Sequence, residues 1–190
     1  MHKAAPSVLI MIENGFEDIE LMYPRYRLQE AGYQVIIAGP RARQEYVGKH
    51  GQTCTTDTSI FELDENHLAG VICPGGWSPD RLRRHERVKN LIGQFHNSGK
   101  LVASICHGAW VLISARICHG RRMTGSSGLK DDLVNAGAIY EDSAVVIDRN
   151  IVTSRRPDDL PYFMKGVLQI LGNRAAQFTD QGMQEAGASR

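Results

Sequence analysis

The first part of the chain is punctuated by four short apolar runs: SVLIMI (7–12), YQVIIAGP (33–40), AGVICPGG (69–76) and KLVASIC (100–106). Each is apolar at nearly every position rather than at alternate ones, which predicts strands buried on both faces. Such strands need helices above and below them. Residues 17–31 place Ile19, Leu21, Met22, Tyr26, Leu28 and Ala31 at helical spacing ahead of Gly32, and residues 81–98 read as a polar-faced helix closed by Gly99. HGAWVLISA, directly after the fourth run, is long enough for a further helix. Alternation of this kind predicts an α/β fold: a doubly wound, mostly parallel sheet between two helical layers. A hairpin is expected over 44–57. Beyond the elbow helix, a short helix is expected at 129–136, strands near 138–141, 144–148 and 151–154, and a closing helix at 158–171. The 190 residues fit a single domain over 1–172, followed by a polar, small-residue tail over 173–190 that is expected to be mobile or loosely packed.

Composition excludes several function classes. Lys and Arg number 22 against 21 Asp and Glu, so no net field draws the chain to nucleic acid or to an anionic membrane. The N-terminal apolar run from Val8 to Ile12 meets Glu13 at once, too short for a signal sequence or a span, and a cytoplasmic address is the expectation. Cys54, Cys73, Cys106 and Cys118 are scattered with no CxxC pair, which argues against a disulfide framework. The seven histidines show neither HxH nor HExxH spacing, so no metal site is expected.

In open parallel sheets, ligands sit outside the carboxyl ends of the strands. Three segments fall there: residues 13–17, Gly75–Gly76 and Cys106–His107. SICHGAW carries a cysteine between a buried strand and a helix, the layout of a nucleophile elbow. Unpaired N–H groups at a helix start favour the thiolate, which predicts a lowered thiol pKa at Cys106. His107 is the adjacent base, although on a regular strand neighbouring side chains point apart and only a kink would bring both into one pocket. Gly75 and Gly76 allow backbone amides to approach a ligand and to act as an oxyanion hole. Glu17, Asp18 and Glu20 all open the first helix, and spacing alone leaves them equivalent as the acid beside the sulfur. Arg155 and Arg156 lie in a loop that could meet a substrate carbonyl or could simply be solvated. Trp110 could wall the pocket or pack, and Lys130–Asp131–Asp132 reads as an exposed helix face or an interface.

FEDIEL (16–21), GKHG (48–51), ICPGG (72–76), SICHG (104–108), GLKDDLVNAGA (128–138) and TSRRPDDLP (153–161) together resemble the ThiJ/PfpI superfamily, within it the PfpI-type branch of intracellular proteases and stress proteins. The resemblance implies a flavodoxin-like sandwich with Cys106 as nucleophile and Glu17 as the acid facing the sulfur. It further implies His107 as base and the backbone amides of Gly76 and His107 as oxyanion donors. In this branch the carboxylate that orients the histidine comes from a neighbouring subunit. The matching position is Asp80, where the branch commonly carries the longer Glu. A dimer, or a hexamer built from dimers, is therefore implied. The implied chemistry is cofactor-free attack of sulfur on a carbonyl carbon, in a deglycase, a glyoxalase or a cysteine peptidase, with a small carbonyl compound or a peptide as substrate. The competing expectation is a redox-sensing or chaperone-like stress protein that uses an oxidisable Cys106 without turnover. An amidotransferase-like or ligand-sensing module is a third class, and a transcription factor is disfavoured because no DNA-binding helix pair is present.

Overall fold

The structure is a computed structural model that describes residues 6–172. In chain order its elements are β1 (Ser7–Met11), α1 (Asp18–Glu30), β2 (Gln34–Gly39), the hairpin strands β3 (Glu45–Val47) and β4 (Thr53–Thr55), β5 (Thr58–Ser59) and β6 (Leu68–Cys73). There follow α2 (Ser78–Leu82), α3 (Glu86–Asn97), β7 (Leu101–Ile105), α4 (Ala109–Ser114), β8 (Arg122–Met123), α5 (Lys130–Asn135), β9 (Ile139–Tyr140), β10 (Val146–Asp148) and β11 (Ile151–Ser154). The last described element, α6, covers 160–172.

Seven strands form the main sheet in the order β10-β11-β7-β6-β1-β2-β5. Every pairing in it is parallel except β10 with β11. The apolar runs explain the layering residue by residue. Along β1, Leu9 and Met11 pack on one side with Leu91, Ile92 and Phe95 of α3 and Leu112 of α4. Val8 and Ile10 pack on the other with Leu21 and Leu28 of α1 and Phe163 and Val167 of α6. Alternate side chains of one strand thus feed two cores, which is why the strand is apolar throughout. This is the flavodoxin-like sandwich. The chain runs from β1 outward to β2 and then returns to place β6 on the other flank of β1, so the topological switch point lies between β1 and β6.

Three expectations are revised by packing. The helix read over 81–98 is two helices, with His85 in an extended conformation between them (φ −90°, ψ 124°). Leu82 and Val88 are both buried in the same core; six residues apart on one straight helix they would lie about 120° apart around its axis, so the break between α2 and α3 helps bury both. HGAWVLISA begins as a single 3-10 turn, Cys106–Gly108, before α4. The two-residue strands β5 and β8 were not anticipated, being too short to show any period. The tail over 173–190 lies outside the described residues. No helix among the described residues is long and apolar enough to cross a membrane.

The fold holds the β7–α4 turn tightly against β6. A Cβ at Gly108 would lie 2.1 Å from the Cys73 carbonyl oxygen, a backbone atom that cannot yield. Gly108→Ala is therefore expected to cost about 3 kcal/mol or more, since overpacking against fixed backbone sits at the upper end of such penalties. Urea denaturation checks this, and an unchanged midpoint would show that the turn does not depend on this contact.

Candidate active site at the carboxyl edge of the sheet

β7 ends at Ile105, and the next residue leaves the sheet. Cys106 has φ 58°, in the left-handed region, a conformation costing an L-residue roughly 1–2 kcal/mol. The Ser126 N–H donates to the Cys106 carbonyl at 3.2 Å and holds the turn. This kink answers the geometric difficulty of two adjacent functional side chains. With the backbone reversed at Cys106, His107 folds back over its neighbour and places Nδ1 3.1 Å from Sγ. Thiol and imidazole meet from consecutive residues because the backbone of the first is kinked.

The other wall is built by the β6–α2 turn. Gly76 has φ 73°, and a Cβ there would sit 2.3 Å from the Gly15 carbonyl oxygen. A Cβ at Gly75 would sit 2.7 Å from Glu20 Oε2 and 2.8 Å from Cys106 Cβ. Glycine is required at both positions for the turn to slide between the first loop and the elbow. The loop and turn are stitched together: the Trp77 N–H donates to Gly15 C=O at 2.7 Å and the Glu17 N–H to Gly75 C=O at 3.2 Å. As a result the backbone amides of His107 and Gly76 lie close enough to the Cys106 sulfur to favour its anion.

The acid in this site is Glu20, and the assignment of that role to Glu17 is corrected. Glu20 is fully buried. Its Oε2 accepts the Gly75 N–H at 2.7 Å, while Oε1 is buried with no other hydrogen-bond partner and the carboxyl lies beside the Cys106 thiol. Glu17 turns instead to the β3–β4 hairpin, where Lys49 Nζ lies 3.3 Å from its Oε2 and His50 Nε2 3.1 Å from its Oε1. The hairpin is anchored by Asp18, which accepts the N–H groups of His50 at 2.9 Å and Gln52 at 2.7 Å. A signal for Glu20 was present in the sequence. Glu20, Pro24 and Leu28 recur every four residues along the buried face of α1, so position 20 is a carboxyl on the inward stripe, while position 17 precedes the helix.

Burial governs the titration of the cluster. It pushes Glu20 up to about 8, aided by the negative charge of Glu17 and opposed by the Gly75 N–H and Lys49. Glu20 is therefore protonated at neutral pH. The expectation of a lowered Cys106 pKa is also corrected. Burial, followed by the Glu20 and Glu17 charges, pushes the thiol up to about 12 against the pull of the two amides. Burial raises Cys73 and Cys118 to the same level, so a low pKa is not what sets Cys106 apart. Cys106 is partly exposed where the other three are buried, and it alone among them has an imidazole at hydrogen-bond distance among the described residues. His107 is lowered by burial and by Lys49, so it is neutral at pH 7 and able to accept a proton. Trp77, half exposed, and Trp110 flank the imidazole, with ring centroids 6.1 and 5.0 Å away. Neither Trp77 nor Lys49 stood out in the sequence, since only the folded loops bring them to the elbow.

Two other residues take different places from those expected. Arg155 is taken up by acids of its own loop region: its guanidinium is held by Asp159 at 2.9 Å and Asp142 at 2.6 Å and fastens the loop after β11. Asp80 lies on α2 with its carboxylate on Arg84 of the same chain, and among the described residues no carboxylate is hydrogen-bonded to His107. The burial of Glu20 has a thermodynamic consequence. Its folded value of about 8 lies above the ordinary 4.5, so the native state holds a proton that the unfolded chain releases between those values. That stabilisation is complete below 4.5 and is lost as pH rises through 8. Urea melts at about pH 5 and about pH 9 are expected to show the protein losing stability relative to Glu20→Gln, which has no such proton. Parallel pH dependence in the two proteins would mean that Glu20 titrates normally.

With this geometry in hand, comparison with known proteins is informative. Residues 6–170 match the DJ-1/PfpI family. An uncharacterized protein of Archaeoglobus fulgidus is 48% identical over 164 residues, covering 86% of this chain and 97% of that one. A deglycase of Pyrococcus abyssi is 42% identical, covering 86% and 98%, and the deglycase PfpI of Pyrococcus furiosus is 38% identical with the same coverage. Among solved structures, a two-domain protein of Anabaena variabilis with DJ-1/ThiJ/PfpI-like and ferritin-like domains superposes with a TM-score of 0.85 at 38% identity, over 87% of this chain and 48% of that one. A buried-strand sandwich with a cysteine elbow and these relatives lead to one assignment: the chain belongs to the DJ-1/PfpI family.

Proposed function

We propose that the protein is a cysteine-dependent enzyme of deglycase type, in which Cys106 adds to the carbonyl carbon of a small dicarbonyl compound or its adduct with an amine. The observation that carries this reading is the 3.1 Å contact between Cys106 Sγ and the neutral His107 Nδ1 on a strained elbow. Because the thiol is the resting form, the base is required. As the carbon–sulfur bond forms, the thiol proton passes to Nδ1 and the carbonyl π pair moves onto oxygen. In this reading the N–H groups of Gly76 and His107 are the donors to that oxygen and stabilise its charge. The imidazolium is then placed to return its proton to that alkoxide, leaving a neutral thiohemiacetal on Cys106 and a neutral imidazole. Glu20, neutral and with Oε1 unpartnered, offers a donor to sulfur whenever sulfur carries negative charge. The names of the Pyrococcus relatives support a deglycase reading over peptide hydrolysis.

The reading includes a homo-oligomer in which the partner subunit's Asp80 orients His107. Its support is that Asp80 is partly exposed on α2, paired only with the exposed Arg84, and that His107 lacks a carboxylate partner within the described chain. A second reading, a redox sensor, draws on the same Glu20 proton, which would stabilise a Cys106 sulfinate. Selective oxidation of Cys106 by mild peroxide, in a protein inactive on every carbonyl substrate, would favour the sensor.

Cys106→Ala is expected to abolish turnover of methylglyoxal or its amine adducts. His107→Ala is expected to lower kcat by about 10²–10⁴-fold, the usual range for loss of a general base. Activity undiminished in Cys106→Ala refutes the mechanism. The pH profile gives an independent check. Since His107 is lowered from 6.5, kcat/KM is expected to stay level through neutral pH and to fall only on acidification below 6.5, where the imidazole becomes protonated. An acidic limb centred above 6.5 would remove His107 as the base.

A further inference from the structure

The far end of α4 borders a surface concavity. It has a volume of about 430 Å3 and is lined by Arg83 from the α2–α3 link, Arg116 and His119 just beyond α4, and Asp132 and Asn135 of α5. A cavity of that size suits a small polar metabolite. Its charge is what distinguishes it. Neither Arg83 nor Arg116 has a carboxylate partner among the described residues. The one acid in the lining, Asp132, is already engaged, accepting the Trp110 indole N–H at 2.9 Å.

Arg83 is held in place, while Arg116 and His119 are exposed at the rim. Arg83 donates through Nε to Ser114 Oγ at 2.8 Å and lies over the Trp110 ring at 5.6 Å. Its two terminal nitrogens remain available for an oxyanion. Arg116 has φ 58°, a left-handed conformation in which an arginine is strained and a glycine would not be. His119 is pressed on the Gly137 backbone, where a Cβ would come within 2.4 Å of Nδ1. Two guanidiniums without carboxylate partners among the described residues, an imidazole and an amide, against the one carboxylate of Asp132, give the hollow the donors and the excess positive charge that a phosphate group takes.

We propose that this cavity binds the phosphate of a small phosphomonoester, separately from the Cys106 site and independently of the activity assigned to it. Trp110 lies between the two sites, under Arg83 on one side and edge-on to His107 at 5.0 Å on the other.

The test is calorimetric titration of the full chain with inorganic phosphate and with glucose 6-phosphate at constant ionic strength. Saturable binding, one site per chain, is expected for the sugar phosphate. Equal affinity for inorganic phosphate would show that the phosphate alone is read, and weaker affinity that the remainder of the ligand is also held; both outcomes support the site. Arg116→Gly is the informative variant because it removes the guanidinium while relieving the backbone. It is expected to keep or raise the melting temperature and to weaken binding about tenfold, as is Arg83→Gln, the scale for losing a charge-assisted hydrogen bond. Absence of saturable binding up to about 10 mM of either ligand, far weaker than specific metabolite sites, would overturn the proposal. So would binding unaffected by either substitution.

Discussion

The left-handed backbone at Cys106 and the close seat of Gly108 on the Cys73 carbonyl act as one constraint, and the site follows from it. A strand that continued regularly past Ile105 would send Cys106 and His107 to opposite faces of the sheet. The kink turns them to one side, and only then can the thiol and the imidazole of consecutive residues meet. The strain of roughly 1–2 kcal/mol is held in place because β7 and β6 pair in register below it, with Cys73 opposite Ser104. Gly75 and Gly76 complete the arrangement by letting the β6 turn pass close to the elbow.

The electrostatics of the cluster differ from a simple activated thiolate. Burial raises Glu20 and Cys106 together, and the two carboxylates nearby oppose a sulfur anion. Protonating Glu20 removes the larger of those opposing charges and turns an acceptor into a donor. What burial takes from the thiolate is offset by a lowered, neutral His107 within reach of the proton. The Glu17–Lys49–His50 group at the hairpin adds a further layer, since the Glu17 and Lys49 charges bear on both Glu20 and His107. Chemistry at this edge is therefore set by a coupled group of residues from β1–α1, β3–β4, β6–α2 and β7–α4.

Arg155 illustrates why loop cations are difficult to assign. In sequence it stands beside Arg156 and Pro157 in a loop that could approach a ligand. In the fold it is a structural clasp between Asp142 and Asp159. Arg83 and Arg116, which drew no notice in the sequence, line a cavity without a carboxylate partner among the described residues.

The apolar runs by themselves determined the sandwich, because strands buried on both faces can be satisfied only between two helical layers, and Cys106 could be singled out because a cysteine between a buried strand and a helix has few structural roles. The choice of Glu20 over Glu17 needed the packed molecule in practice, although the inward stripe of α1 held the clue. The direction of the Cys106 titration was not legible at all. A helix-start argument counts the amides that favour an anion, whereas burial and neighbouring carboxylates arise from segments 30 to 90 residues away in the chain. Local sequence encodes which groups are present and how each segment prefers to fold; tertiary contact decides which of them share a desolvated space, and electrostatic energy depends on that sharing.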